Sequence, residues 1–517
     1  MVTTVYTAGV EGVIGFPVSV ECALHEITGD NSTGFFDVVG LPDNAVKEAK
    51  DRVRNAILSS GLTFPVNARI TVNLAPADRK KAGSSYDLAI LMAILTADSQ
   101  LNMPLDGCCF IGELSLSGAL RGVHGVLSMV TAAKDAGRKV IFVPEENRAE
   151  ASVVEGTDVY GADSVEKIIG HLSGRAPLEK AVFDRENYFS SVEKAANDLS
   201  DVKGQRIAKR ALEIAAAGGH NLLFIGPPGT GKSMLAKCLP GILPPMTFNE
   251  ALESTTIHSC AGILPPGTAL LSHRPFRSPH HTMSQVALAG GGAVPKPGEV
   301  SLAHNGVLFL DELPEFPKQV TEILRQPMED GQITITRAMG RCTFPTKFML
   351  VCAMNPCRCG NYGNPLKKCT CRPDDIKKYM SRISGPLIDR IDIQVEVPAL
   401  SFDDLSSKER CETSAEVRAR VAAARKRAEK RCADGGDGVS SNAALTPAQV
   451  RKYCLPDEAG QTLLRAAFEN LGLSARGHDR ILRVARTIAD LDGSEKISAP
   501  HIAEAIRLRS LDRKYWQ

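Results

Sequence analysis

The chain has almost no net charge. Its 61 Lys and Arg stand against 59 Asp and Glu, for a balance of +2, so no overall field draws it to nucleic acid and any such site must be a local patch. No stretch of about eighteen apolar residues occurs, which leaves no transmembrane helix to expect. The opening residues, "MVTTVYTAGVEGVIGFPVSVECALHE", lack a basic stretch leading into a long apolar one, so no signal peptide is expected. The 14 cysteines form no disulfide framework: ten are scattered singly or as the neighbours Cys108 and Cys109. Repeats and low-complexity tracts are missing too. Together these absences point to a reduced, cytoplasmic protein that keeps away from membranes. With 517 residues, 43% of them hydrophobic, the chain is too long for one core and divides into two to four domains.

Residues 1–172 mix strand-like and helix-like segments, as expected of an α+β domain. "ARITVNLAP" (68–76) and "KVIFVP" (139–144) read as strands, while 44–61 has helical apolar spacing with Asn44 as cap and Gly61 as stop. Residues 173–200 are polar and irregular and read as a linker. Residues 201–400 form an α/β domain: a helix from Gln205 to Ala217, the apolar strand "NLLFIG", a glycine-rich turn and a new helix. Beyond 401 the chain turns helical through to 517.

The turn is "GPPGTGKS", comprising Gly226, Pro227, Pro228, Gly229, Thr230, Gly231, Lys232 and Ser233. It fits G-x-x-x-x-G-K-[ST] between a strand and a helix, where glycines let backbone N–H groups face phosphate oxygens and the helix N-terminus adds positive charge. Lys232 is expected to reach the outer phosphates of ATP, and the Ser233 hydroxyl to coordinate magnesium. Downstream, "GVLFLDELPEF" (306–316) ends an apolar strand in two carboxylates. Asp311 would complete the magnesium shell and Glu312 would polarise the attacking water. A third apolar strand, "KFMLVCAMNP", ends at Asn355, placed to sense the γ-phosphate.

These three strands in this order resemble the AAA+ ATPases. That resemblance implies an active site completed in trans by a neighbour's arginine, hence a ring, with a hexamer as the superfamily default. In "SRISGPLIDRID" (381–392) the finger position falls on Arg390, with Arg382 as the alternative. A lid-domain sensor is expected at Arg476, with Arg480 and Arg483 further along the same helix. The stretch 274–316, containing "FRSPHH" and "AGGGAVPKPG", is similar to the magnesium-chelatase-type branch and, within it, to the ComM/YifB family. The likeness covers nearly the whole chain. It implies an ATP-driven motor acting on DNA by branch migration or helicase action, in recombination or uptake. The competing functions are a chelatase-like remodeller of a partner protein, a Lon-like protease and a non-enzymatic scaffold.

Candidate DNA contacts are Lys296 in the glycine-rich insert and Arg337 and Arg341 near the tip of a hairpin within 330–348; a surface hairpin is the plain alternative. The basic run "RARVAAARKRAEKR" (418–431) reads either as a solvated helix face or as a DNA patch, the former slightly favoured.

"NPCRCGNYGNPLKKCTC" packs Cys357, Cys359, Cys369 and Cys371 directly after Asn355, within an insert spanning 355–373. Two close thiol pairs joined by a loop with Gly360, Gly363 and Pro365 suit a structural zinc ion. An iron–sulfur cluster and disulfides are the alternatives. Finally, 75–90 and 112–150 resemble the proteolytic domain of Lon. Ser85 falls near the nucleophile's register, but the catalytic lysine aligns at the apolar Leu127, and neither Lys80 nor Lys81 is placed to serve as base. A serine without its base is a poor nucleophile, so proteolysis is not expected; the domain is expected to aid ring assembly or DNA contact.

Overall fold

The computed structural model describes residues 2–27, 35–190, 197–292, 294–337, 340–401, 410–436, 438, 441–471 and 474–516. It is a mixed α/β chain with a parallel sheet and a helical C-terminal part. Contacts divide it into two compact units: Met1–Ser191 with Ala251–Ser272, and Val192–Glu250 with His273–Gln517. The expected boundaries at 172 and 200 therefore shift. Leu178 packs on the N-terminal core and the Tyr188 hydroxyl bonds the Leu270 carbonyl, so much of the expected linker is packed structure. Residues 191–196 lie outside the described residues.

In the first unit, Val2–Glu11 and Ile14–Glu26 pair antiparallel, Ala68–Ala75 continues the sheet, and Phe36–Val39 closes it in parallel. Ala68–Ala75 buries alternate residues, as a strand with one face in the core must. The helix Asp87–Ala97 is apolar all round and almost wholly buried, so it forms the centre of this core. Around 44–61 the chain forms two helices, Asn44–Lys47 and Ala49–Ser59. The first cap is Asp43, not Asn44: its carboxylate accepts from the Val46 N–H while Asn44 already lies inside the helix.

The second unit centres on five parallel strands, ordered Phe276–Arg277, Val307–Leu310, Met349–Met354, Leu222–Ile225, Ile393–Glu396. The middle three are buried at every position, as sandwiched parallel strands are. Ile225 pairs with Met354 and Leu310 with Cys352. This register brings the loops after the three middle strands to one carboxyl edge, the usual ligand-binding edge of such sheets.

The helices Ser414–Asp434, Pro447–Tyr453, Glu458–Leu471, Ala475–Leu491 and Ala499–Arg507 follow. Val421, Ile488 and Ile502 share one core with Leu212 and Phe224, so the expected lid is not a separate contact unit.

Candidate functional site

At the carboxyl edge, Gly229 and Gly231 adopt φ of 77° and 86°, the left-handed region that bends the loop round. A Cβ on Gly226 would lie 2.2 Å from the Val397 carbonyl oxygen, so only glycine fits there. Lys232, 8% exposed, donates to the carbonyls of Gly226 (2.8 Å) and Pro227 (2.7 Å) and to Asn355 Oδ1 (3.2 Å). Burial pulls its amine down to about 8, partly countered by the charges of Asp311 and Glu312. Ser233 Oγ donates to Asp311 Oδ2 at 2.6 Å. The geometry thus unites Lys232, Ser233, Asp311 and Asn355.

Glu312 sits beside them with φ of 53°, a strained conformation for a side-chain-bearing residue, and its carboxylate is half exposed. His281 Nδ1 lies 3.5 Å from Glu312 Oε2. The sequence pointed to "FRSPHH" only as part of an insert; its one hint of this contact was the segment's place after a short strand, which pairs with Val307–Leu310.

The arginines gather elsewhere. A cavity of about 640 Å³ is lined by Arg274, Arg390, Arg425, Arg476, Arg480 and Arg483, and by no residue of the phosphate-binding loop. Arg390 is 8% exposed and bonds Glu329 and the Pro386 carbonyl. Arg382 instead pairs with Glu315 at 2.8 Å. Arg476, exposed in the first turn of Ala475–Leu491, shares the cavity with Arg390 and does not join Lys232. Buried nitrogens of Arg390 (Nε), Arg480 (Nη1) and Arg483 (Nε) reach no acceptor within the protein. Arg480 Nε lies 3.4 Å from Asp392. Burial raises the Asp392 carboxyl, but His220, Arg480 and the Asn221 N–H outweigh it and hold it at about 2.

Comparison with known proteins settles the family. A model described as magnesium chelatase, subunit ChlI, matches residues 198–405; related models for subunit ChlI and its C-terminal part match 26–147 and 411–509. Protein YifB of Salmonella typhimurium is 44% identical over 98% of this chain and 97% of its own length. Competence protein ComM of Haemophilus influenzae is 44% identical with the same coverage. The chain belongs to the ComM/YifB family of magnesium-chelatase-type ATPases. The magnesium-chelatase 38 kDa subunit of Rhodobacter capsulatus is more distant, 25% identical over 31% of this chain and 50% of its own length. ATP and Mg2+ are thus the ligands this AAA+-type family brings. The hard oxygens of Ser233 and Asp311, already in contact, are a donor set that fits magnesium.

The sites outside the nucleotide edge fare unevenly in this ComM/YifB-family chain. Cys357, Cys359, Cys369 and Cys371 converge, with all four sulfurs within 4.8 Å of one another. All are free thiols, so the disulfide alternative is not realised.

Lys296 and Arg341 are exposed, each on a two-stranded ribbon: Gly290–Gly291 with Lys296–Pro297, and Gln332–Arg337 with Gly340–Pro345. The Arg337 side chain and the tip residues 338–339 lie outside the described residues, as does Ala293 of the glycine-rich insert. The basic run 418–431 is largely the exposed face expected, with Arg425 and Arg431 half-buried, but most of its arginines are already engaged. Arg418 bonds the Gly241 carbonyl, Arg420 pairs with Glu213 and Glu412, Arg425 bonds the Ala216 carbonyl, and Arg427 and Arg431 bond Asp490. These arginines tie the helix to the unit, and Lys426 and Lys430 stay in solvent.

In the first unit, Ser85 is 5% exposed and Leu127 1%. The Leu127 N–H donates to Glu150 Oε1, which also accepts from Ser259 Oγ in the 251–272 segment. Lys81 is buried, with its amine on the carbonyls of Pro76 and Arg79, and Lys80 is exposed. No lysine reaches Ser85 among the described contacts.

Proposed function

We infer that this protein is a ring-forming ATPase that moves DNA, a branch-migration or helicase-type translocase. The observation that carries the ring is the separation of two complementary surfaces on one unit. One holds Lys232, Ser233, Asp311, Glu312 and Asn355; the other gathers Arg390, Arg476, Arg480 and Arg483 round one cavity. An anion bound at the first surface of one subunit meets its positive complement only if a neighbour presents the second.

In this reading the backbone N–H groups of 229–232 cradle the phosphates, and Lys232 leaves its carbonyl acceptors for the stronger anionic ones. Ser233 and Asp311 would hold magnesium, which would supply positive charge against the phosphates. Asn355, bonded to Lys232, orients the outer phosphate. Glu312 accepts a proton from the attacking water, with His281 placed to steady its carboxylate. Arg390 of the neighbour stabilises the charge that develops. The sulfur spacing supports a structural zinc at the four cysteines.

DNA as substrate rests on the two ribbons bearing Lys296, Arg337 and Arg341, of which Lys296 and Arg341 are exposed, and on the family. Contacts of that kind grip phosphates without reading sequence. The 38 kDa chelatase subunit of Rhodobacter capsulatus favours a second reading, an ATPase that remodels a protein partner. For the first unit, the Lon-like reading survives only as a scaffold that aids assembly, since its serine is buried and lacks a lysine. The deciding experiment measures ATPase rate with no DNA and with single-stranded, duplex and four-way-junction DNA, alongside strand displacement. Stimulation by one form supports the motor; a rate indifferent to all of them favours the remodeller.

A further inference from the structure

The cysteine loop 356–372 contains no helix or strand. Two backbone turn bonds, Gly360 to Cys357 and Asn364 to Asn361, are its regular features. Leu366 is 70% exposed, so the loop carries no apolar core of its own. What closes it is sulfur. Cys357 lies 3.4 Å from Cys359 and 3.7 Å from Cys369, and Cys359 lies 3.6 Å from Cys369. A tetrahedral zinc–thiolate centre with bonds of about 2.3 Å has edges of about 3.8 Å. The cage is therefore sized for one ion, and an iron–sulfur cube, which holds its thiolates apart across several atoms, does not fit inside it. Four soft thiolates select zinc-class ions over magnesium.

This loop also touches the nucleotide site at two points. Gly360, with φ of 77°, lies under the ring of Pro228 in the phosphate-binding loop: a Cβ there would fall 2.4 Å from Pro228 Cδ. On the other side, Asn355 stands two residues before the fully buried Cys357 and accepts from Lys232. Pro228 has no N–H to offer a ligand, so its part in the loop is shape, and Gly360 is what its ring rests on.

We propose that the tetrathiolate centre is a metal-dependent brace for the phosphate-binding loop, so that loading the four cysteines with zinc sets the affinity for nucleotide. The ion closes 357–371 into a knuckle, the knuckle fixes Gly360 against Pro228 and Asn355 against Lys232, and the loop is held in its phosphate-accepting shape. Stripping the ion frees both supports together. This inference rests on the nucleotide reading of residues 226–233.

The test uses the full chain, a zinc-selective chelator that spares magnesium, metal analysis and binding of a fluorescent ATP analogue. The purified protein should hold one zinc per chain. Removal should weaken nucleotide binding at least tenfold, and added Zn2+, not extra Mg2+, should restore it. Cys359→Ser should lose metal and nucleotide together. Gly360→Ala should keep its zinc and still bind nucleotide several-fold more weakly, because its Cβ strikes Pro228. A chain that carries no zinc-class metal overturns the proposal, and so does nucleotide affinity unchanged by stripping and by Gly360→Ala. If the zinc-loaded protein binds no nucleotide at all, the reading of 226–233 falls first and the brace falls with it.

Discussion

At the phosphate-binding edge one ammonium, Lys232, faces two carboxylates, Asp311 and Glu312; in the arginine-lined cavity six guanidinium groups face Glu250, Glu329, Asp392 and Asp479. The first surface offers backbone donors, a magnesium shell and a base, but little positive charge. The second offers charge in excess and no means of cradling a phosphate chain. Each is chemically incomplete where the other is rich, and one subunit carries both. On the proposed reading, the difference would make hydrolysis depend on assembly, because the residues that bind nucleotide and the arginines that would stabilise the transition state lie on different surfaces.

The sharpest way to break this comparison is to remove the finger. Arg390→Ala should lower ATPase turnover by about 10³-fold or more while leaving nucleotide binding intact. Mixing it with Lys232→Ala protein, which keeps its arginines, should recover part of the rate. Silence in the mixture would mean that Arg390 serves only its own subunit, through Glu329. Next in size, Glu312→Gln should cost about 10²–10⁴-fold in turnover and leave ATP bound; a rate near wild type would move the base elsewhere.

A smaller effect concerns the frame of the cavity. Arg480→Ala leaves the Asp392 carboxylate with one charged partner fewer in a buried site, at about 3 kcal/mol in denaturant melts. Asp392 is held at about 2 against about 3.9 in an unfolded chain, so it stabilises the fold above pH 4. That contribution fades as pH falls from about 4 to 2. Asp392→Asn should flatten this acid limb of the stability profile, and an unchanged limb would show that other carboxylates set it.

The smallest effect should come from the ribbon. Arg337→Ala with Arg341→Ala should weaken DNA binding and make the slope of log affinity against log salt shallower by about one to two. Unchanged affinity and slope would detach the hairpin from DNA and leave the nucleotide surfaces untouched.

Much of the nucleotide edge was legible because its signals are local. A strand, a glycine turn, Lys232 and Ser233 follow one another, and Asp311 and Asn355 each close a short apolar run, so position in sequence nearly implies position in space. The cysteines were legible for the same reason. The contact of His281 with Glu312 was not, since it depends on a parallel pairing between two short strands far apart in the chain. Nor were the partners of 418–431: the face is largely exposed, as its composition suggests, but carbonyls of Gly241 and Ala216 and the carboxylate of Asp490 engage several of its arginines.

By itself, then, the order of residues determined the phosphate-binding loop, the acidic strand end, the thiol pairs and the family, because each depends on chemistry repeated within a few positions. Only the tertiary structure decided which arginines share a surface, that 251–272 packs with the first unit, and that Gly360 supports Pro228. Those facts arise from packing between segments distant in sequence, where burial and close approach, not spacing along the chain, choose the partner.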